Sequence, residues 1–147
     1  MNIFNAILLL IAVTVQFLNG AEIRITYSPG FSPVKPFLIS INDGKVTVTV
    51  DKEKETINDA SILVKNFSIL YSLNGNYTHL VTDQATYNYE LIDGDVRKSV
   101  NVYAIDFVAR EDKDISVLNV KTNRIFTLIS NSVKNESIIN NFSMWNK

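Results

Sequence analysis

The chain offers few side chains suited to catalysis. His79 is its one histidine, and cysteine is absent. A single imidazole works as a general base only beside a group that orients it and a nucleophile it can deprotonate. No such partner accompanies His79 in sequence, so it reads as a surface or half-buried residue. Asp106 is the carboxylate of interest, because it interrupts the apolar run "YAIDFVA". A carboxylate buried there must be paired or shifted in pKa. A β-bulge near Ala104 would turn it outward instead. The charged run "REDKD" at 110–114 reads as a solvated turn and lacks the spacing of a calcium loop. There is no HExxH, GxSxG, P-loop or dinucleotide fingerprint. No catalytic, cofactor-binding or metal-ligating residue is therefore assigned. A hydrolase would need His79, or Asp106 with a second carboxylate, converging in a cleft.

Asparagine offers a different chemistry. Four Asn-x-Ser/Thr triplets make Asn66, Asn76, Asn135 and Asn141 candidates for N-glycosylation in an exported protein. With 17 asparagines, chance alone supplies about two or three such triplets. Asn76 follows the Asn74-Gly75 turn and is the candidate expected to be exposed. Export itself is expected from "ILLLIAVTVQFLNGAE". Its unbroken apolar core, Ala6 to Val13, is too short for a bilayer span of roughly 20 residues but suits a secretory signal. Gly20 and Ala21 supply a small residue for cleavage. The absence of lysine or arginine before Arg24 is atypical of such a segment, and an uncleaved N-terminal anchor is the alternative.

Removing 1–20 leaves about 126 residues, enough for one domain with a core. Net charge is −1 and every charged residue follows Gly20, so no basic field draws in nucleic acid or an anionic membrane. Without cysteine the domain must hold by packing and strand pairing rather than disulfides. Asn and Ile, 17 each, suggest an AT-rich genome such as that of a virus, parasite or insect.

The elements that would position these residues follow a period of two. "EIRITY" and "KVTVTVD" alternate as half-buried strands do. Two-residue Asn-Gly or Asp-Gly turns signal hairpins. Asp43-Gly44 sets Ile41 opposite Val46, Ile39 opposite Val48 and Phe37 opposite Val50. Asp93-Gly94 sets Leu91 opposite Val96, Tyr87 opposite Val100 and Glu90 opposite Arg97. Asn74-Gly75 sets Ile69 opposite Leu80 and Tyr71 opposite Thr78. A fourth hairpin is expected from 115–120 and 124–130, although its turn holds no glycine. Residues 28–36 and 51–60 read as loops, and the aromatic residues as core.

These signals predict an all-β chain: an antiparallel sandwich or partly closed barrel of about nine or ten strands. It would span 21–131, with 132–147 a polar tail or short helix. The function expected is secreted, non-enzymatic recognition of an extracellular protein or glycan, through loops 28–36, 51–60 and 109–114. A β-barrel carrier of a small apolar ligand is the alternative. No cofactor, nucleic acid or lasting membrane span is expected, and a homodimer is compatible.

Overall fold

The computed structural model describes residues 20–145. The expected signal therefore lies, but for Gly20, outside the described residues. The chain forms one seven-stranded sheet covered on one face by helices, not an all-β sandwich or barrel. Strands β1 (Glu22–Ser28), β2 (Phe37–Asn42), β3 (Lys45–Val50) and β4 (Glu53–Asn58) come first. A 3-10 segment (Val64–Tyr71) follows, then β5 (Gly75–Tyr77), β6 (Thr86–Asp93) and β7 (Val96–Tyr103). Three α-helices complete the layer, α1 (Ile105–Glu111), α2 (Lys113–Ser132) and α3 (Glu136–Phe142), with a final 3-10 turn at Ser143–Trp145. The sheet order is β4-β3-β2-β1-β6-β7-β5. β4 and β5 are its two edges, so the closed barrel that an apolar-ligand carrier requires is not formed.

Alternation decides which face of each strand is buried. Ile23, Ile25, Ile39, Ile41, Val46, Val48 and Val50 are wholly buried under the helices. The β2–β3 hairpin adopts the expected register, Ile41 opposite Val46 through Phe37 opposite Val50, with Gly44 turning at φ +74°. In the β6–β7 hairpin the two-residue turn is Gly94-Asp95, one position later than expected. Pairing consequently slides by two residues: Leu91 faces Lys98, Tyr89 faces Val100, and Glu90 faces Ser99 rather than Arg97. An even slide leaves every residue on its expected face. Gly94, at φ +56°, leads this loop, while the Asp93 side chain accepts a hydrogen bond from the Tyr71 hydroxyl.

The Asn74-Gly75 hairpin is not formed. Residues 64–71 are helical, and they carry the chain across the covered face with Val64, Phe67 and Leu70 buried. Gly75–Tyr77 then pairs parallel with Val100–Val102. The expected 51–60 loop contains β4, whose charged residues suit an edge. Glu55 accepts from the backbone N–H groups of Lys134 and Asn135 at 2.9–3.0 Å, tying that edge to the helical layer.

The largest departure lies after Tyr103. Ala104 adopts the left-handed conformation (φ 58°, ψ 53°), which costs a non-glycine residue roughly 1–2 kcal/mol. It redirects β7 into α1, so the switch of apolar face seen in the sequence marks a strand-to-helix junction rather than a bulge. The expected hairpin at 115–130 is the interior of α2. Its β-branched residues mimic a strand locally, but Ile115, Leu118, Thr122, Ile125, Phe126 and Ile129 make one buried helical face. Asp112 starts that helix, its Oδ1 accepting from the N–H groups of Asp114 and Ile115 at 2.9 and 3.0 Å. "REDKD" is thus the end of one helix and the cap of the next. The C-terminal residues pack inward as well, with Ile138 and Phe142 wholly buried. Tyr27, Phe37, Phe126, Phe142 and Trp145 form a continuous aromatic cluster, with Tyr27 stacked on Phe37 at 4.6 Å and Phe126 against Trp145 at 4.8 Å.

Candidate functional site

The two residues singled out for catalysis each make their own contacts along α1. His79 lies beyond β5, its side chain 30% exposed, with its ring 5.4 Å from that of Phe107. Its Nε2 is 3.4 Å from Glu111 Oε1, and its Nδ1 has no hydrogen-bond partner among the described residues. Asp106 is exposed in the first turn of α1 and accepts from Asn119 Nδ2 at 3.1 Å. That position suits a carboxylate, because helix N-termini favour negative charge. An imidazole beside an exposed carboxylate could transfer a proton. Among the described residues, no group of three or more His, Asp or Glu side chains is arranged to hold a metal. No helix among them is long and apolar enough to cross a membrane.

A groove of about 340 Å³ lies where β1 begins, lined by Ala21, Asp43, Leu63, Val64, Tyr71 and Asp93 among others. Its polar groups already serve the fold. Asp43 Oδ1 accepts from the Val64 N–H at 2.8 Å, fixing the start of the 3-10 segment. The Tyr71 hydroxyl donates to Asp93, and that bond to a carboxylate pushes the phenol up to about 12. Lys98 donates to the Tyr71 carbonyl. These contacts anchor the crossover segment to two strand ends.

At the opposite end of β1 two large apolar side chains stand exposed. Phe31 is 93% exposed and Leu80 fully exposed. They sit on two connections, 29–36 and 78–85, that meet backbone to backbone. Phe31 N–H donates to the Asp83 carbonyl at 3.4 Å, and a Cβ on Gly30 would stand 2.5 Å from that oxygen. Glycine is therefore required for the approach. The Tyr103 hydroxyl braces the second connection, donating to the Val81 carbonyl at 2.9 Å and accepting from the Gln84 N–H at 3.2 Å. Phe31 falls within the 28–36 loop already named as a recognition surface. Leu80 was missed, because the expected hairpin placed it in a strand opposite Ile69. The other two expected surfaces have become edge strand β4 and the junction of α1 with α2.

The four sequons occupy four environments. Asn66 is half-buried, and its Nδ2 donates to the Ser61 carbonyl at 3.2 Å. Asn76 is exposed on β5. Asn135 caps α3, its Oδ1 accepting from the Ser137 and Ile138 N–H groups and its Nδ2 donating to Glu53 at 2.8 Å. Asn141 is only 8% exposed and bridges the backbone of Lys35, accepting from its N–H at 2.7 Å and donating to its carbonyl at 3.2 Å.

The fold and these surfaces define a class in structural terms alone: an open seven-stranded sheet with one helical layer. No protein-family model matches the chain, and no curated protein matches it in sequence.

Proposed function

We propose that this is an exported, non-enzymatic recognition protein that binds an extracellular protein or glycan at the end of the sheet formed by residues 29–36 and 78–85. The observation that carries the reading is the exposure of Phe31 and Leu80 on adjoining, braced connections. Burying either side chain fully is worth about 1.5–3 kcal/mol. Single exposed apolar residues are ordinary; these two lie on segments whose backbones are held against each other, which lowers the ordering cost of binding. The apolar segment before Gly20 supports export, and the near-zero net charge speaks against an electrostatic partner such as nucleic acid.

The test uses protein secreted by expressing eukaryotic cells. Labelled wild type should bind saturably to cell surfaces or to immobilised extracellular proteins and glycans. Phe31→Ser with Leu80→Ser should weaken that binding tenfold or more and leave the urea midpoint unchanged. Equal binding by the double variant would refute this surface. Unprocessed protein retained in the cell would refute export.

A further inference from the structure

The four sequons can be separated atom by atom. N-glycosylation joins asparagine Nδ2 to C1 of a sugar. The bond from C1 to the pyrophosphate of a lipid-linked oligosaccharide breaks, the lipid pyrophosphate leaves, and the amide gives up one proton. Transfer precedes folding, so the folded protein acts as a filter on which glycans it can accommodate. At Asn141 the amide is buried and both its ends hold Lys35, so a sugar there would prevent α3 from docking. Asn135 and Asn66 are half-buried, and the one N–H that a sugar would leave on Nδ2 is needed for the bonds to Glu53 and to the Ser61 carbonyl, so a sugar there must fit between packed groups. At Asn76 the Nδ2 makes no hydrogen bond among the described residues. Only Oδ1 is engaged, accepting from Asn101 Nδ2 at 2.9 Å. Asn101 in turn accepts from Asn88 Nδ2 at 2.6 Å. This row of amides crosses β6, β7 and β5 on the open face of the sheet, and it holds the exposed Asn76 by its Oδ1.

We propose that Asn76 is the glycan-bearing residue of the exported protein, and that its sugar covers the free edge of β5. The proposal rests on the export proposed above. Among the described residues β5 pairs only with β7, so its outer side offers unpaired backbone groups to another chain. β4, the other edge, is protected by charge, since Glu53, Lys54 and Glu55 line it. Gly75, Asn76 and Tyr77 carry no charge, and a large hydrated group attached at Asn76 supplies the missing protection.

Full-length protein should be recovered from the medium of eukaryotic cells and deglycosylated by an amidase in ¹⁸O-water, which marks each formerly glycosylated asparagine as labelled aspartate. Peptide mapping should place the label at position 76 alone. Asn76→Gln should then have the unglycosylated mass, and Asn66→Gln should keep the glycan. A label at 66, 135 or 141, or no label in secreted protein, would overturn the assignment and leave export standing. Unprocessed protein retained in the cell would overturn both. Sedimentation tests the edge: enzymatically deglycosylated wild type, and Asn76→Gln where it is secreted, should self-associate at concentrations at which the glycoprotein is monomeric. Monomeric behaviour after deglycosylation would refute the shielding role.

Discussion

Adjacent residues of the same strands live in contrasting surroundings on the two faces of the sheet. Ile23, Ile25, Ile39 and Val48 have no solvent exposure, whereas their neighbours Arg24, Thr26, Ser40 and Thr47 lie on an open surface. The covered face depends on distant chain, because α2 and α3 arrive from beyond residue 112. The open face is satisfied by near neighbours: across strands, Thr47 hydroxyl with Thr56 hydroxyl at 2.9 Å, Asn88 with Asn101 and Glu22 with Ser40, and along β1, Glu22 with Arg24. One face is thus held by apolar burial over long sequence separation, and the other by short polar ladders. Losses on the first should exceed losses on the second.

The severest test of that contrast is Phe126→Ala. Phe126 is wholly buried and touches the Phe37, Phe142 and Trp145 rings, so the truncation removes contacts of α2 with the sheet, with α3 and with the final 3-10 turn. A destabilisation of about 3–5 kcal/mol is expected in urea unfolding. A loss under about 1 kcal/mol would mean that the helical layer does not stabilise the sheet. Asp112→Ala comes next. It leaves two N–H groups of α2 without their side-chain acceptor and should cost about 1 kcal/mol, within a range of 0.5–2. Asp112→Asn should recover most of that loss.

The smallest effect is on the open face. Hydrogen bonding from Arg24, with a contribution from Ser40 and against some desolvation, lowers the Glu22 carboxyl below its ordinary 4.5. A lowered carboxyl contributes stability that is present above the unfolded value and lost as pH falls through the folded one. The difference in urea midpoint between wild type and Glu22→Gln should therefore be present at pH 7 and shrink as pH drops below 4.5. A difference that grows on acidification would contradict the pairing. Half-exposed ion pairs contribute little, so this change should be smaller than either of the others.

Particular stretches show why some of this was legible and some was not. β1 and β3 carry strict alternation, and one Asp-Gly turn joins β2 to β3, so the faces of β1 and β3 and the β2–β3 register follow from side-chain period and turn length alone. "ISVLNVKTNRIFTLIS" is ambiguous over short windows, because Ile115, Val117 and Val120 suit a strand. The decisive signals were the spacing from Ile115 through Leu118, Thr122, Ile125 and Ile129, the capping aspartate before it, and the absence of a turn glycine within it. The pairing expected of Ile69 with Leu80 failed for another reason. Gly75 takes the positive φ expected of it but begins β5, and Phe67 and Leu70 are buried in a 3-10 segment that covers the sheet rather than extending it. The exposure of Phe31 and the candidacy of Asn76 were visible as a loop and a turn. The burial of Asn141 was not, since its partner Lys35 is 106 positions away.

Local chemistry decided which residues could alternate, turn, cap or accept a sugar. Those properties belong to side chains a few positions apart, and they set the two faces of the sheet. Tertiary packing decided what covered one face, which Asn-Gly turn became a crossover, and which asparagine kept its amide nitrogen free. Each of those outcomes depends on contacts between residues far apart in the chain, whose partners no local pattern names.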